Sequence, residues 1–404
     1  MSSFKNKIIL STIFGKPTNN SGGSNKIIYL LLKHLKDDKY LKYYLSPSFF
    51  FESTEKSLNQ VINNEKKLNS SIISAKFLPI KVKEKLFYKR LYFFKEKMFF
   101  NKSIYKLGDS IFHAHHPIAL SLTENLNKSI LTVHNKGSII NDIFNGINDY
   151  TEKDFVFYRK FEIDAINKAS IITFPSNNAK DLYINEIGDR YFNNKDIRVI
   201  YNGVDKNFIQ SLKPLTTSEI NNIVGKRNSD SKIFINIADH VQLKNVNILI
   251  DAFNIIINLL KQDVYLINIG EGPLTNILKE KINQFNLNKR VLLLGRLSNE
   301  NVIRFLKASD ILIMPSDKVV FDLVNLEALA AGIPLLLSKN GGNLEIIKEG
   351  ENGFFIEKNN CESIVEAIIN FQKSGLRKVF FNKNKLFEVS DMIKQYQDLY
   401  ERLL

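Results

Sequence analysis

The 404-residue chain is longer than one hydrophobic core usually organises, so two domains are expected. With 44% apolar and 24% charged residues it is not a disordered polymer, and no apolar run reaches the roughly 18 residues of a membrane-spanning helix. The net charge of +14 is concentrated in one half: residues 1–200 hold 31 Lys and Arg against 19 Asp and Glu, the remainder 25 against 23. That asymmetry predicts an anionic partner for the first half, with a membrane or an acidic acceptor favoured; nucleic acid has only the charge behind it and is not expected. The opening MSSFKNKIILSTIFG has an apolar stretch too short and too lysine-interrupted for a secretory signal. One cysteine, Cys361, leaves no intramolecular disulfide and fits a cytoplasmic protein.

Taken in chain order, Lys7–Phe14 reads as a strand, β-branched and apolar, followed by a Gly/Pro/Asn/Ser loop and a helix pattern through Ile27, Leu31 and Leu35. Residues 81–106, KVKEKLFYKRLYFFKEKMFFNKSIYK, carry nine Lys or Arg and two Glu with interleaved aromatics. Helical spacing puts Phe87, Leu91, Phe94 and Met98 on one stripe with lysines at its flanks, the make-up of a helix lying on an anionic membrane surface. An amphipathic helix packed on a sheet is the alternative. Ser110–His113, Ser129–Val133, Ser170–Phe174 and Ile197–Tyr201 read as further strands. The rhythm then restarts: strands at Lys232–Ile237, Val264–Ile269, Val291–Leu294, Ile311–Met314 and Leu335–Leu337 alternate with helices such as Asn247–Leu260 and Leu274–Phe285. Two such series predict two doubly wound parallel sheets, an N-terminal domain over 1–205 and a C-terminal one over 206–387. A last helix within 388–404 is expected to return to the first domain. In open parallel sheets ligands sit at the carboxyl ends of the strands, so polar residues there are the first candidates for chemistry.

The loop Gly15–Gly23 joins the first strand to the first helix, where Gly22 and Gly23 let backbone N–H groups approach a phosphate. It is neither a G-x-G-x-x-G fingerprint nor a Walker A loop, which argues against a dinucleotide dehydrogenase. IFHAHHP, Ile111–Pro117, places His113 and His115 on one face of a strand end and His116 on the other. A metal site, structural polar residues and the lining of an active site are all compatible with it; no Cys or carboxylate lies at ligand spacing nearby. His134, ending ILTVHN, has the same strand-exit position. Ile311–Gly353 is the densest stretch. A strand ends in Pro315-Ser316, a loop with Asp322 leads to a helix whose first N–H groups, near Leu323 and Val324, would face a diphosphate, and Glu327 follows in its early turns. Glu327 suits either a ribose contact or a structural salt bridge.

Here the chain resembles the retaining GT-B glycosyltransferases of family 4, over nearly its whole length. Pro315-Ser316, Phe321, Leu323-Val324, Leu326-Glu327-Ala328, Gly332, Pro334, Gly341-Gly342, Glu345-Ile346-Ile347 and Gly350/Gly353 follow that family's pattern in order. Phe174-Pro175-Ser176, Tyr201-Asn202-Gly203-Val204-Asp205, Gly270-Glu271-Gly272-Pro273 and Gly295-Arg296 match further elements of it. The resemblance implies a GT-B fold, two Rossmann-like domains facing a cleft, with the acceptor on the first and the nucleotide sugar on the second. It implies that Lys244 neutralises the donor diphosphate, Glu327 binds the ribose, Gly22, Gly23, Leu323 and Val324 line the phosphates, Gly270 shapes a donor loop, and Gly295 and Arg296 border the base. His115 would stand near the reacting carbons, with His113 and His134 lining the acceptor side. Where the family usually has Arg five residues before the phosphate lysine, this chain has Asp239, and the first glutamate of the family's E-x₇-E pair is Val319; Asp322 is a partial substitute for it.

The resulting expectation is a metal-independent hexosyltransferase with no cofactor beyond its donor, a UDP-sugar, and a glycan or lipid-linked acceptor. It would act in surface-polysaccharide, lipid-glycan or protein-glycan assembly, in the cytoplasm or peripherally on the inner face of the membrane. The departures at Asp239 and Val319 keep two rivals open: a non-catalytic GT-B scaffold and a nucleotide-sugar epimerase on the same fold.

Overall fold

The computed structural model describes residues 6–12, 17–18, 23–35, 39–46, 49–52, 109–124, 126–143, 151–226, 228, 230–260, 263–357, 360–377, 379 and 387–404. The chain divides into two compact units, Met1–Tyr201 with Met392–Leu404, and Asn202–Asp391. The expected domain limits, after Asp205 and Phe387, lie four residues from these. Segment 81–106 and Gly22 fall outside the described residues.

The first unit is built on a seven-stranded sheet in the order β3-β2-β1-β4-β5-β6-β7. Its strands are β1 (Asn6–Ser11), β2 (Tyr40–Ser46), β3 (Phe49–Glu52), β4 (Ile111–Ala114), β5 (Ser129–Thr132), β6 (Ile171–Phe174) and β7 (Asp196–Val199). All pairs are parallel except β2 with β3, an antiparallel edge. The central strands β4, β5 and β6 are buried at every position, as a parallel sheet covered on both faces requires. Among the described helices here are α1 (Gly23–His34), α2 (Pro117–Ser121), α3 (Ile139–Ile143), α4 (Glu152–Lys168) and α5 (Asn177–Ile187). Helix α4 starts where Thr151 and Asp154 form a reciprocal capping box.

The second unit carries a six-stranded, wholly parallel sheet in the order β10-β9-β8-β11-β12-β13. These strands are β8 (Lys232–Ile237), β9 (Val264–Ile269), β10 (Val291–Leu293), β11 (Ile311–Met314), β12 (Leu335–Ser338) and β13 (Gly353–Ile356). The helices are α6 (Lys206–Ser211), α7 (Thr217–Val224), α8 (Val246–Leu259), α9 (Thr275–Gln284), α10 (Asn299–Ala308), α11 (Leu323–Ala330), α12 (Asn343–Ile346) and α13 (Cys361–Ser374). In both sheets successive strands are added outward on either side of a switch, between β1 and β4 and between β8 and β11. The crevice beyond the carboxyl ends of those strand pairs is where such folds receive ligands.

Helix α14 (Val389–Leu403) repeats apolar residues at Met392, Ile393, Tyr396, Leu399 and Tyr400, all buried. From Met392 onward it packs within the first unit. Its Tyr400 ring meets Tyr40 edge-on, Arg402 pairs with Asp196 at 2.8 Å, and Lys39 is paired with Glu401.

Strands β2, β3 and β13 were not expected. Strand β2, YLKYYLS, carries Lys42 in its interior, and Lys42 is only 4% exposed. Its ammonium donates to Leu32 O and Leu35 O at the end of α1, at 2.7 and 2.8 Å. The device recurs. Lys168 donates to Ser121 O and Thr123 O past α2, both at 2.7 Å, and Lys195 to Asn167 O and Ala169 O at the end of α4, at 2.9 and 3.1 Å. Lys307 serves Ile209 O, Gln210 O and Leu212 O at the end of α6. Each ammonium satisfies carbonyls that a helix end leaves unpaired and meets the negative end of the helix dipole. Three of these four lysines belong to the basic first half, so part of its charge excess has a structural role.

Candidate active site

The loop beyond β8, Ala238–Asn245, closes in a 3-10 turn over Gln242–Lys244. Lys244 Nζ lies 3.3 Å from Asp322 Oδ2, both side chains about a quarter exposed. Asp322 occupies the N-cap position of α11 but makes no side-chain cap bond. Its carboxylate is turned to Lys244 instead, so the first turn of α11, Leu323 and Val324, receives no cap from it. An ammonium, a carboxylate and the positive end of a helix are thereby gathered at the β8/β11 switch.

Glu327 is 6% exposed and accepts from Asn299 Nδ2 of α10 at 3.1 Å. It therefore holds a buried, partnered carboxylate rather than an open one. On the other side of β8, Gly270 and Gly295 join the exits of β9 and β10 through an isolated bridge, Gly270 N donating to Gly295 O at 3.0 Å. Gly270 has φ +153°, and a Cβ there would stand 1.9 Å from Ala238 O. Backbone is thus packed on backbone where three strands end. Arg296 pairs with Asp239 at 2.7 Å, both largely exposed. The acid that stands where an arginine was expected is neutralised by the arginine expected at the base. Lys244 and Arg296 are each matched by a carboxylate that the family pattern lacks.

Val319 is 1% exposed, and its carbonyl faces Gly341, where a Cβ would come within 2.0 Å. Gly342 N donates to Val320 O at 3.1 Å. The segment Val319-Val320 is thus clamped against Gly341-Gly342, and the side chain at 319 points into packing.

In the first unit, β4 ends at its switch in the histidine cluster. His113 is fully buried: Nδ1 lies 2.8 Å from Tyr400 Oη and Nε2 2.7 Å from Thr132 Oγ1. Thr132 in turn bonds Thr173 Oγ1 at 2.6 Å. His113 therefore ties the sheet to α14 and does not line an acceptor surface, which corrects that expectation. His115 is 1% exposed, its Nδ1 is 2.9 Å from His134 Nε2, and the two rings stack at 5.2 Å. Its Nε2 is buried without a partner. His116 caps α2, accepting from Ile118 N at 3.2 Å. Burial, and then the charge of neighbouring histidines, holds these imidazoles neutral: His113 and His134 are lowered to about 3 and His115 well below 6.5. The next loop is fixed by two carboxylates. Glu162 accepts from Ser138 Oγ and Ile139 N at 2.5 and 2.7 Å, and Glu186 accepts from Ser138 N at 2.6 Å. Gly23 opens α1 with φ +54°, and a Cβ there would meet nothing.

The structure thus brings Lys244 to Asp322, Arg296 to Asp239, Gly270 to Gly295, His115 to His134 and Glu327 to Asn299. Sequence reading missed Glu162, Glu186 and a buried chain of Asn236, Asn268 and His240. Polar residues inside otherwise apolar strand runs were the signal for the last.

Two family models divide the chain between them: Glycosyltransferase Family 4 over residues 21–208, and Glycosyl transferases group 1 over residues 218–385. Among curated proteins, the N-acetyl-alpha-D-glucosaminyl L-malate synthase of Bacillus anthracis is 29% identical over 208 residues, 52% of this chain and 51% of that protein. The UDP-Gal:alpha-D-GlcNAc-diphosphoundecaprenol alpha-1,3-galactosyltransferase of Escherichia coli is 31% identical over 253 residues, 60% of this chain and 63% of that protein. The chain therefore spans about half of the first and less than two thirds of the second. Among solved structures, sucrose-phosphate synthase from Thermosynechococcus elongatus superimposes with a TM-score of 0.74 at 16% identity, covering 99% of both chains. HepE of Anabaena in complex with UDP gives 0.65 at 16% identity, over 98% of this chain and 100% of that one. At such identities these two establish the fold.

Proposed function

We propose, for a chain that belongs to the group 1 glycosyltransferases of GT-B fold, transfer of a sugar with retention from a UDP-sugar to a hydroxyl of a glycan or lipid-linked acceptor. The observation that carries this reading is the gathering of Lys244, Asp322 and the uncapped start of α11 at the β8/β11 switch. A diphosphate leaving group needs fixed positive charge placed before the reaction, and an ammonium beside helix-end amides supplies it without a metal ion. Binding exchanges the Lys244–Asp322 contact for Lys244–phosphate. The freed Asp322 carboxylate, an acceptor only, then faces hydroxyls of the donor sugar rather than phosphate oxygens. Val319, turned into packing, takes no part in sugar recognition. The UDP assignment draws on the UDP complex of HepE and on the UDP-Gal in the name of the Escherichia coli relative, whose lipid-linked acceptor also motivates the acceptor class.

In the first unit, His115 is the acceptor-side candidate, a neutral imidazole that is 1% exposed and meets a hydroxyl only once the ring is uncovered. Its Nε2 has no protein partner, and its Nδ1 is oriented by His134. Neutral rings suit hydrogen bonding to a hydroxyl, while the leaving phosphate takes the acceptor proton. Surface-polysaccharide or lipid-glycan assembly at the inner face of a membrane is the setting that fits this acceptor.

The test is turnover of the purified protein against a panel of sugar nucleotides, with membrane lipid extract as acceptor and EDTA in a parallel arm. Release of UDP coupled to a glycosylated lipid product, undiminished by EDTA, is the expected result. Binding of UDP with no turnover of any donor would instead favour the scaffold reading, for which the paired cations Lys244 and Arg296 speak. Sugar inversion without acceptor would favour the epimerase.

A further inference from the structure

Parallel strands buried on both faces are ordinarily apolar. Asn236 of β8, Asn268 of β9 and His240, three residues beyond β8, are nevertheless 0%, 0% and 1% exposed. They form one hydrogen-bonded chain whose direction is fixed at one end. Asn236 Nδ2 donates to Ile313 O at 2.6 Å, and a carbonyl can only accept. Asn236 Oδ1 therefore accepts from Asn268 Nδ2 at 2.7 Å, and Asn268 Oδ1 is left to accept from His240 Nε2 at 2.5 Å. The proton of His240 is thereby assigned to Nε2, and Nδ1 faces Thr275 Oγ1 at 2.7 Å. Nδ1 is then an acceptor for the Thr275 hydroxyl, whose one proton is shared with Gly272 O at 2.8 Å, while Thr275 Oγ1 accepts from Gly272 N at 3.0 Å.

This chain ties the loop beyond β8 to the loop beyond β9. His240 N donates to Glu271 O and Leu274 N to His240 O, each at 3.1 Å, and a Cβ on Gly272 would stand 2.5 Å from His240 O. The far end of the β8 loop is anchored independently. Asn245, held at φ +52°, donates through Nδ2 to Pro315 O at 2.9 Å, and Asp317 N donates to Leu243 O at 2.9 Å. Lys244 follows His240 by four residues: its N–H donates to Val241 O at 3.0 Å, and the residues on either side of it, Leu243 and Asn245, are those of the far anchor. Buried polar networks are costly unless every member is satisfied, and when satisfied they fix one geometry.

We infer that His240 is a positioning residue: through the 239–245 backbone it sets Lys244 for the donor diphosphate. The inference rests on the proposed donor site. It is tested by a double-substitution cycle with UDP as the probe, alongside amide exchange of the full-length protein. His240→Leu should weaken UDP binding about 10-fold and speed exchange of the 239–245 amides. In a Lys244→Ala background the same substitution should change UDP affinity by less than about 2-fold, because the group it positions is gone. His240→Gln, which keeps a donor toward Asn268, should recover part of the affinity; with Thr275→Val it carries the test if His240→Leu does not fold. An unchanged 10-fold effect in the Lys244→Ala background, or unaltered exchange of 239–245, overturns the inference. If the unsubstituted protein binds no UDP, the donor site itself is wrong, and exchange of 239–245 still reports whether His240 holds the loop.

Discussion

The two strand exits at the two sheet switches are built from opposite materials. Beyond β8 and β11, charge is on display: Lys244 with Asp322 and Arg296 with Asp239, each pair partly or largely exposed. Beyond β4 and β5, His113, His115 and His134 are packed together and kept neutral by burial. The same topology therefore carries an ionic, partly exposed exit in one unit and a buried, uncharged hydrogen-bonding cluster in the other. A diphosphate and a hydroxyl ask for those two environments respectively.

The sharpest way to break the contrast is at Lys244. Lys244→Ala should lower turnover roughly 30-fold to 1000-fold, the loss of about 2–4 kcal/mol of charge-assisted stabilisation, with the thermal midpoint nearly unmoved. Wild-type-like kinetics would show that the ionic exit is not where the phosphates go. The next largest effect separates the histidines. Single-turnover rates should fall on the order of 100-fold in His115→Ala and much less in His113→Phe, which should mainly cost stability. Equal losses would return His115 to a structural role.

The neutrality of the cluster has a pH signature. Because the folded state holds His113 near 3 against an ordinary 6.5, the unfolded chain binds more protons between those values. The stability from keeping it neutral is complete above pH 6.5 and is lost as pH falls toward 3. The midpoint of His113→Phe should therefore fall less steeply over pH 6.5 to 4 than that of the wild type. Parallel curves would mean the imidazole is not held neutral by the fold.

Two smaller effects sharpen the contrast further. Val319→Glu puts a carboxylate into packing and should destabilise by roughly 1–3 kcal/mol without raising turnover. A sharp gain with an ordinary hexose donor would mean that the acid is accommodated and missed. For segment 81–106, co-sedimentation with anionic liposomes should weaken with salt, each cation contributing about 1 kcal/mol. Reversing Lys89, Arg90, Lys95 and Lys97 should release the protein, whereas binding indifferent to lipid charge removes the segment from the acceptor route.

The second unit was largely legible in the sequence. Its strands are apolar runs, broken in β8 and β9 by single asparagines, and the glycines at 270, 341 and 342 mark places where backbone meets backbone. The first unit was less so, for identifiable reasons. β2 was hidden because a lysine interior to a strand looks disqualifying until its ammonium finds the end of α1. His113 and His115 share a strand face and could not be told apart locally; a tyrosine 287 residues away in sequence decides between them. The two carboxylates that neutralise Lys244 and Arg296 were visible as departures, but their partners, 78 and 57 residues distant, were not.

Lys42 offers a further use. Its amine is sealed in the protein and bonded to two carbonyls at the end of α1. An acylating reagent reaches it only when that helix end opens, while solvent-facing lysines react at once. The slow fraction of amine labelling at Lys42, read by peptide mass, is thus a built-in clock for local opening beside β2. Should UDP slow that clock, the nucleotide would be felt in a unit other than the one expected to hold it.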